Sequence, residues 1–350
     1  MHAMSTTSST HRAIDAVWRI ESARVIAGLA RMLRDLDLAE ELAQDALVAA
    51  LETWPRDGVP DNPGAWLMTT AKRRAIDRLR RLQLLDRKHE ELARELEDIQ
   101  DERRSRDEDA LDHDIDDDLL RLVFVSCHPV LSMDARVALT LRLLCGLTTD
   151  EIARAFLAAE PTVAQRIVRA KRTLAEADVA FEVPRGDALQ ERLASVLGVV
   201  YLVFNEGYAA TSGDDWVRPA LCEEALRLGR MLAALTPREP EVHGLVALME
   251  IQASRLAARV APDGQPVLLA DQDRRRWDRL LIRRGLDALA RAEALASHTG
   301  HLGPYALQAA IAACHARAPR VEDTDWARIV GLYDALAQLV PSPVVRLNRA

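Results

Sequence analysis

The sequence predicts an all-α protein, and three observations carry that expectation. Ala, Leu and Arg dominate the 350 residues, and these are the cheapest residues to place in a helix. Gly and Pro are few, at 15 each. Apolar residues recur at steps of three and four along most of the chain, the period of a helix with one buried face. Apolar residues make up 49% of the chain and aromatics only 4%, so the core is read as aliphatic. A chain of this length is enough for two or three domains, each with its own core.

The first block runs from about residue 11 to 85. Ile14, Val17 and Trp18 start an amphipathic helix that Val25, Leu29, Met32 and Leu33 continue. Leu38, Leu42, Ala46 and Ala49 or Ala50 carry the next one. Three prolines and two glycines between Trp54 and Gly64 mark a loop. A third helix follows from Ala65 to about Leu85. Its stripe is Met68, Ala71, Ala75, Leu79 and Leu82, and Arg73, Arg74, Arg80 and Arg81 fall on the other side.

The segment from 86 to 118 holds 16 acidic and 6 basic residues, a local net charge of −10. It has too little apolar surface to fold alone and reads as a linker whose first half has helical character. The whole chain carries −8, so the remainder is +2. Within that remainder, Lys72–Arg81 has six basic residues and one acid, and Pro161–Thr173 has four basic residues and no acid. An acidic chain with two basic helices differs from a uniformly acidic one.

The third block spans about 119–183. Ser132 is placed to cap a helix through Leu144, with Gly146 closing it. Thr148 and Glu151 have capping-box spacing and open a short helix, Thr149 to Phe156. A four-residue turn follows, and Pro161 sits in the first turn of a further helix, where proline is tolerated. That helix, through Ala175, is expected to expose Arg166, Arg169, Lys171 and Arg172.

The fourth block, about 188–350, reads as helical throughout. Leu232–Pro237 with Pro240–Val242 resembles Leu336–Pro341 with Pro343–Val345, one helix ending and another beginning at a proline. Arg291 to Ala318 looks like a middle copy. Stacked hairpins of this kind build solenoids. A solenoid needs a capped end, and the last helix has barely begun at Ala350, so the chain reads as truncated there.

Several function classes lack support. Residues 1–11 are polar and have no apolar core of a signal peptide. Leu193–Phe204 is the longest apolar stretch and too short to span a bilayer. Together these give the expectation of a cytoplasmic protein without a membrane partner. Cys127, Cys145, Cys222 and Cys314 lie far apart with no CxxC pair, as thiols in a reducing compartment do. Cys127–His128, Cys314–His315, His298 and His301 lack the spacing of a four-ligand metal site. No glycine-rich phosphate loop is present. The carboxylates at 112–118 have no pocket for acid–base work. The expectation is a protein without metal, cofactor or enzymatic activity.

Two constellations carry chemistry. A short capped helix, a tight turn and a basic helix form a helix-turn-helix. In that motif Thr162, Val163, Gln165 and Arg166 would reach base edges in a major groove, with Arg169, Lys171 and Arg172 on phosphates. By itself the pattern also fits an ordinary helical hairpin with a solvated basic face. The basic helix 72–81, set after a Pro/Gly loop, fits a face that tracks a phosphate backbone beside an unstacked base. It fits a solvated face equally well.

Taken together, the two constellations resemble a known family. The stretches Asp37–Asp45, Asn62–Leu67 and Ala75–Arg81 look like domain two of the extracytoplasmic-function sigma factors of RNA polymerase. The stretches Leu139–Arg142, Glu151–Ala153 and Thr162–Lys171 are similar to their domain four. The resemblance covers about half the chain, with both modules in order. It implies that Asp37, Glu41, Gln44 and Asp45 face the polymerase core enzyme. It implies that the loop at Asp57–Gly64, with Asp61 and Asn62, captures a base of the promoter −10 element. Arg73, Arg74, Arg80 and Arg81 would lie on nearby DNA. The −35 element would be read by Thr162, Gln165, Arg166, Arg169, Lys171 and Arg172. The acidic linker would thread the RNA path, its carboxylates standing in for RNA phosphates. Two features depart from the family pattern. Leu157 stands in the turn where a small residue or glycine is usual, and Ala159–Glu160 stand where a serine-like cap is usual.

The C-terminal block, with Tyr201–Tyr208 and its proline-punctuated hairpins, resembles the subgroup with a tetratricopeptide-like extension. The resemblance implies a regulatory domain with an unknown ligand or protein partner. The Phe-Asn-Glu-Gly-Tyr run is read as a packed helix end with a glycine turn, a ligand-facing role being the alternative. Two rival readings are a helix-turn-helix regulator that acts on duplex DNA alone, and a scaffold in which the repeats are the functional part.

Overall fold

The computed structural model describes residues 2–86, 108–209, 217–261, 264–297 and 300–349. The chain divides into two compact units. One comprises Met1–Ile152 with Ala159–Leu193, the other Ala153–Ala158 with Ala194–Ala350. Both are helical, and the described residues contain no β-strand, only an isolated bridge between Val260 and Pro266.

In the first unit, α1 (His2–Leu33) packs on α2 (Leu36–Asp57) and α3 (Pro63–Asp86). The chain breaks between α1 and α2 at Arg34, in left-handed backbone at φ 53°. Asp35 then caps α2, accepting from the amides of Asp37 (2.9 Å) and Leu38 (3.0 Å). Alanines 39, 43, 46 and 50 are buried along α2. Their small side chains let the neighbouring helices approach closely, and Trp54 seals the end against Trp66, edge-on at 5.3 Å. The buried stripe of α3 is Leu67, Ala71 and Ala75, with Met68 and Leu79 only half-buried. Continuing the unit, α4 (Glu108–Ser126) lies on α1 and buries Leu122 and Phe124. α5 (Met133–Leu143) begins at Ser132, whose hydroxyl accepts from Ala135 N. Gly146 takes φ 66°, and a Cβ there would fall 2.8 Å from the buried Ser22 Oγ, so both backbone and space require glycine.

Two sequence expectations are corrected here. The loop expected from Trp54 to Gly64 is only Gly58–Asn62, because α2 continues through Pro55 to Asp57. Gly58 N still donates to Trp54 O at 3.0 Å, which closes the last turn. The linker expected to end at Asp118 is helical from Glu108, and Asp118 is buried. Arg31 (3.0 Å) and Arg121 (2.5 Å) neutralise it, so that end is anchored to α1. Residues 87–107, the rest of the expected linker, lie outside the described residues.

The second unit is a set of packed helical hairpins. It takes in the C-terminal part of α8 (Asp187–Tyr208), then α9 (Pro219–Leu235), α10 (Pro240–Ala253), α11 (Arg279–Ala296), α12 (Pro304–Arg317), α13 (Trp326–Leu339) and α14 (Pro343–Arg349). Helix α10 is buried at nearly every position on all its faces, so it sits centrally against α9, α11 and α12. Ala247, Leu248, Ile251, Trp277, Leu289, Ala309 and Ala313 form the main core, and Leu307, Ile311, Ile329 and Leu336 a second one. The proline-started helices α10, α12 and α14 fall where the sequence placed hairpin turns. The block is not helical throughout, however. The described residues between Ala253 and Arg279 run irregularly through three short 3-10 turns. They are held by backbone bonds, such as Val267 N to Arg259 O (2.7 Å) and Asp278 N to Ser254 O (2.8 Å), and by Arg274, which donates to His315 O (2.6 Å) and Ala318 O (2.5 Å).

Gly207 lies inside α8 rather than in a turn. A Cβ there would meet Cys222 N at 2.7 Å and Arg218 O at 2.9 Å, so glycine permits the contact between α8 and α9. On either side of it, Asn205 and Tyr208 line a cavity. Among the described residues, no helix is long and apolar enough to cross a membrane.

Candidate nucleic-acid interface

The helix-turn-helix is built locally as its residues dictate. Helix α6 (Thr149–Ala155) opens with a reciprocal capping box. Thr148 N donates to Glu151 Oε2 at 2.8 Å and Glu151 N to Thr148 Oγ1 at 3.2 Å. In the turn, Leu157 takes φ 47°, the left-handed region where glycine is at ease. The next helix, α7 (Glu160–Glu176), starts after Ala159, which supplies no side-chain cap. Pro161 removes one amide that would otherwise lack a partner there.

Helix α7 has two faces. Val163, Ile167, Ala170 and Leu174 are buried toward α5. Thr162, Gln165, Arg169 and Arg172 are exposed at steps of three, four and three. Arg166 is half-buried and pairs with Asp134 at 3.3 Å, and Arg172 pairs with Glu176 at 2.9 Å. The exposed row combines hydroxyl, amide and guanidinium groups, the side chains that meet base edges and phosphates.

Lys171 departs from the expected exposed face. It is 9% exposed, and its Nζ lies 2.7 Å from Asp37 Oδ1 and 2.6 Å from Glu40 Oε2. Its position in α7 is one residue after buried Ala170, so its stem turns inward while the amine finds two carboxylates on α2.

Glu40 is the residue that sequence reasoning missed. It is 6% exposed and gathers three partners: Lys171, Arg142 Nε at 2.5 Å and Gln44 Nε2 at 2.7 Å. A buried carboxylate needs such company. The signal was available: Glu40 falls between Ala39 and Ala43 on the apolar stripe of α2, where a glutamate would stand alone without a cation. Of the four residues expected to face polymerase, Asp37 pairs with Lys171, Gln44 with Glu40, and Asp45 with Arg74 at 3.5 Å. Glu41 is exposed and makes no ion pair among the described residues.

Around the shortened loop, Asp61 and Asn62 are both exposed, and the Asn62 Oδ1 accepts from Ala65 N at 3.0 Å, capping α3. Arg73, Arg80 and Arg81 are exposed on α3, and Arg74 is half-buried beside Asp45. The structure therefore brings Asp45 and Arg74 together. It keeps the row on α7 separate from the basic residues of α3.

The thiols are buried. Desolvation pushes Cys127 up to about 11 and Cys222 up to about 12, far from the range of reactive thiolates. His301, Cys127–His128 and Cys314–His315 join no metal-binding group among the described residues. His298 lies outside them.

Comparison with known proteins matches residues 19–84 to sigma-70 region 2 and residues 121–174 to sigma-70 region 4. Residues 192–293 match a family of unknown function, DUF6596. An uncharacterized protein of Rhizobium meliloti (strain 1021) is 47% identical over 328 residues, 93% of this chain and 76% of the relative. No solved structure matches the chain. The two regions support a sigma-factor role in promoter-specific transcription initiation, and they imply interaction with RNA polymerase core and promoter DNA. The capped α6, the exposed row on α7 and the two matched regions in order lead to one family: this chain belongs to the extracytoplasmic-function-like sigma factors of the sigma-70 family, with a C-terminal helical extension.

Proposed function

We propose that the chain acts in the cytoplasm by joining RNA polymerase core and reading two promoter elements, under control of its C-terminal domain. Asp37, Glu41, Gln44 and Asp45 would meet core polymerase. Asp61, Asn62 and the loop before α3 would hold an unstacked base of the −10 element, with Arg73, Arg74, Arg80 and Arg81 on adjoining phosphates. Thr162, Gln165, Arg166, Arg169 and Arg172 would read the −35 element. Lys171 would join them only after leaving Asp37 and Glu40. The acidic segment from 86 would occupy the RNA path as far as the helix that begins at Glu108, its end at Asp118 staying on α1. The observation that supports this reading best is the exposed row Thr162, Gln165, Arg169 and Arg172 on a helix whose opposite face is fully packed.

Competition with the principal sigma factor for purified core polymerase tests the reading. Sub-micromolar displacement by the full chain is the expected result. Binding by residues 1–186 but not by the full chain would indicate that the C-terminal domain restrains the sigma regions. Binding by neither, with duplex DNA still bound, would leave a helix-turn-helix regulator as the better description.

A further inference from the structure

The second unit contains a cavity of about 340 Å³ between α8, α10, α12 and α13. That is the size range of small-molecule sites. Its apolar walls are aromatic and aliphatic, including Phe204, Ile311 and Leu336, and its polar groups are neutral or cationic: Asn205, Gln252, Gln308, His315 and Arg255. Among the described residues, no carboxylate lines it.

Arg255 is held rigidly. Its Nη2 donates to Tyr208 Oη at 2.6 Å and to Gln252 Oε1. Its guanidinium carbon lies 5.9 Å from the Tyr208 ring and 5.8 Å from the Trp277 ring. Its Nε and Nη1 have no hydrogen-bond partner among the described residues. Two further arginines stand close by: Arg259, 3.8 Å over the same Tyr208 ring, and Arg274, 4.9 Å over Trp277. Among the described residues none of the three forms an ion pair. Glu322 and Asp323 act on Arg274 from a distance. Burial, then the neighbouring Arg259 and Arg274, pulls the Arg255 pKa down, and only Tyr208 opposes this. Desolvated cations in proteins are normally paired. Here Arg255 lines an open cavity with no anion among the described residues beside it, and Arg259 and Arg274 lie on the two rings that flank it.

We propose that this cavity binds a small organic acid, a molecule with one carboxylate on an aromatic or branched apolar body. The carboxylate would sit on Arg255, assisted by the amides of Gln252 or Gln308. The body would lie against Phe204, Ile311 and Leu336. An arginine fixed between two rings loses little side-chain freedom on binding, which favours a fork-shaped contact with a carboxylate. This site goes beyond the regulatory reading above and stands apart from it, because binding is read without polymerase or DNA.

The test uses the purified full chain with 3-phenylpropionate, benzoate and isovalerate, each beside its neutral amide, by isothermal titration and saturation-transfer NMR. At least one acid is expected to bind saturably, about tenfold or more tighter than its amide. Arg255→Gln should erase that preference. Gln308→Glu, which places a negative charge in the cavity without touching the Arg255 stack, should erase it too. The second variant decides the matter if the first does not fold. Failure of all three acids to bind saturably overturns the proposal. So does equal binding of acid and amide, or an acid preference that survives Gln308→Glu.

Discussion

Lys171 on the helix expected to read DNA and Asp37 on the helix expected to meet polymerase form an ion pair of 2.7 Å, and Glu40 completes it at 2.6 Å. Both regions belong to one compact unit. Glu40 is its hub, since it also holds Arg142 and Gln44. Glu40→Ala would leave two cations without their buried carboxylate and should cost about 3 kcal/mol or more. Lys171→Met should cost less, because Glu40 keeps Arg142 and Gln44. Urea unfolding of both variants checks the order. Equal, small losses would mean that the cluster does not hold the two helices together.

Arg169 is exposed and makes no ion pair among the described residues. Arg169→Ala should weaken binding to duplex DNA about uniformly across sequences and lower the slope of log affinity against log salt by about 1. Gln165→Ala should instead relax discrimination at one base position by about 1–3 kcal/mol. Fluorescence anisotropy over a salt series separates the two. A uniform effect from Gln165→Ala would remove it from the reading row.

Two backbone positions should respond in opposite ways to changes of similar size. Leu157 is 56% exposed at φ 47°, so Leu157→Gly relieves left-handed strain and should not lower the melting temperature. Gly207→Ala forces a Cβ to 2.7 Å from Cys222 N, a backbone atom, and should cost about 1–3 kcal/mol. Thermal melts of the two variants beside the parent suffice.

His315 is held neutral in the fold. Burial, with Arg255 and Arg274 nearby, pulls its pKa from the ordinary 6.5 down to about 4. The unfolded chain therefore takes up a proton there between pH about 6.5 and 4 while the folded chain does not. Stability should be full above 6.5 and fall as the pH drops through that window. His128 and His243 shift in the same direction, also mainly through burial. His315→Gln should flatten the melting-temperature profile between pH 4 and 6.5. An unchanged profile would show that His315 is not held neutral.

The helices were legible wherever local chemistry decides. Thr148 with Glu151, Ser132, and the prolines at 161, 240 and 343 each marked a helix start that the structure contains. The loop before α3 was read too long because Pro55 signals a break, yet in a last turn it interrupts little. Residues 254–278 were read as helical because alanine and arginine favour helices. The described ones are held in part by Arg274 reaching His315 O and Ala318 O across more than forty residues, which no local pattern contains. The outward row on α7 was visible as a stripe, but Lys171 was misplaced because its partners lie about 130 residues away. The cavity of the second unit was legible only as the run from Tyr201 to Tyr208. Arg255 and His315 join it through packing of separate hairpins.

Initiation itself is the most direct test of the sigma assignment. Core polymerase, the full chain and fragmented genomic DNA from the organism that encodes it would be combined, and transcript 5′ ends mapped. The account predicts discrete starts with a shared upstream pair of elements, lost with Arg169→Ala plus Gln165→Ala. Transcripts no different from those of core polymerase alone, from a chain that still binds duplex DNA, would contradict it.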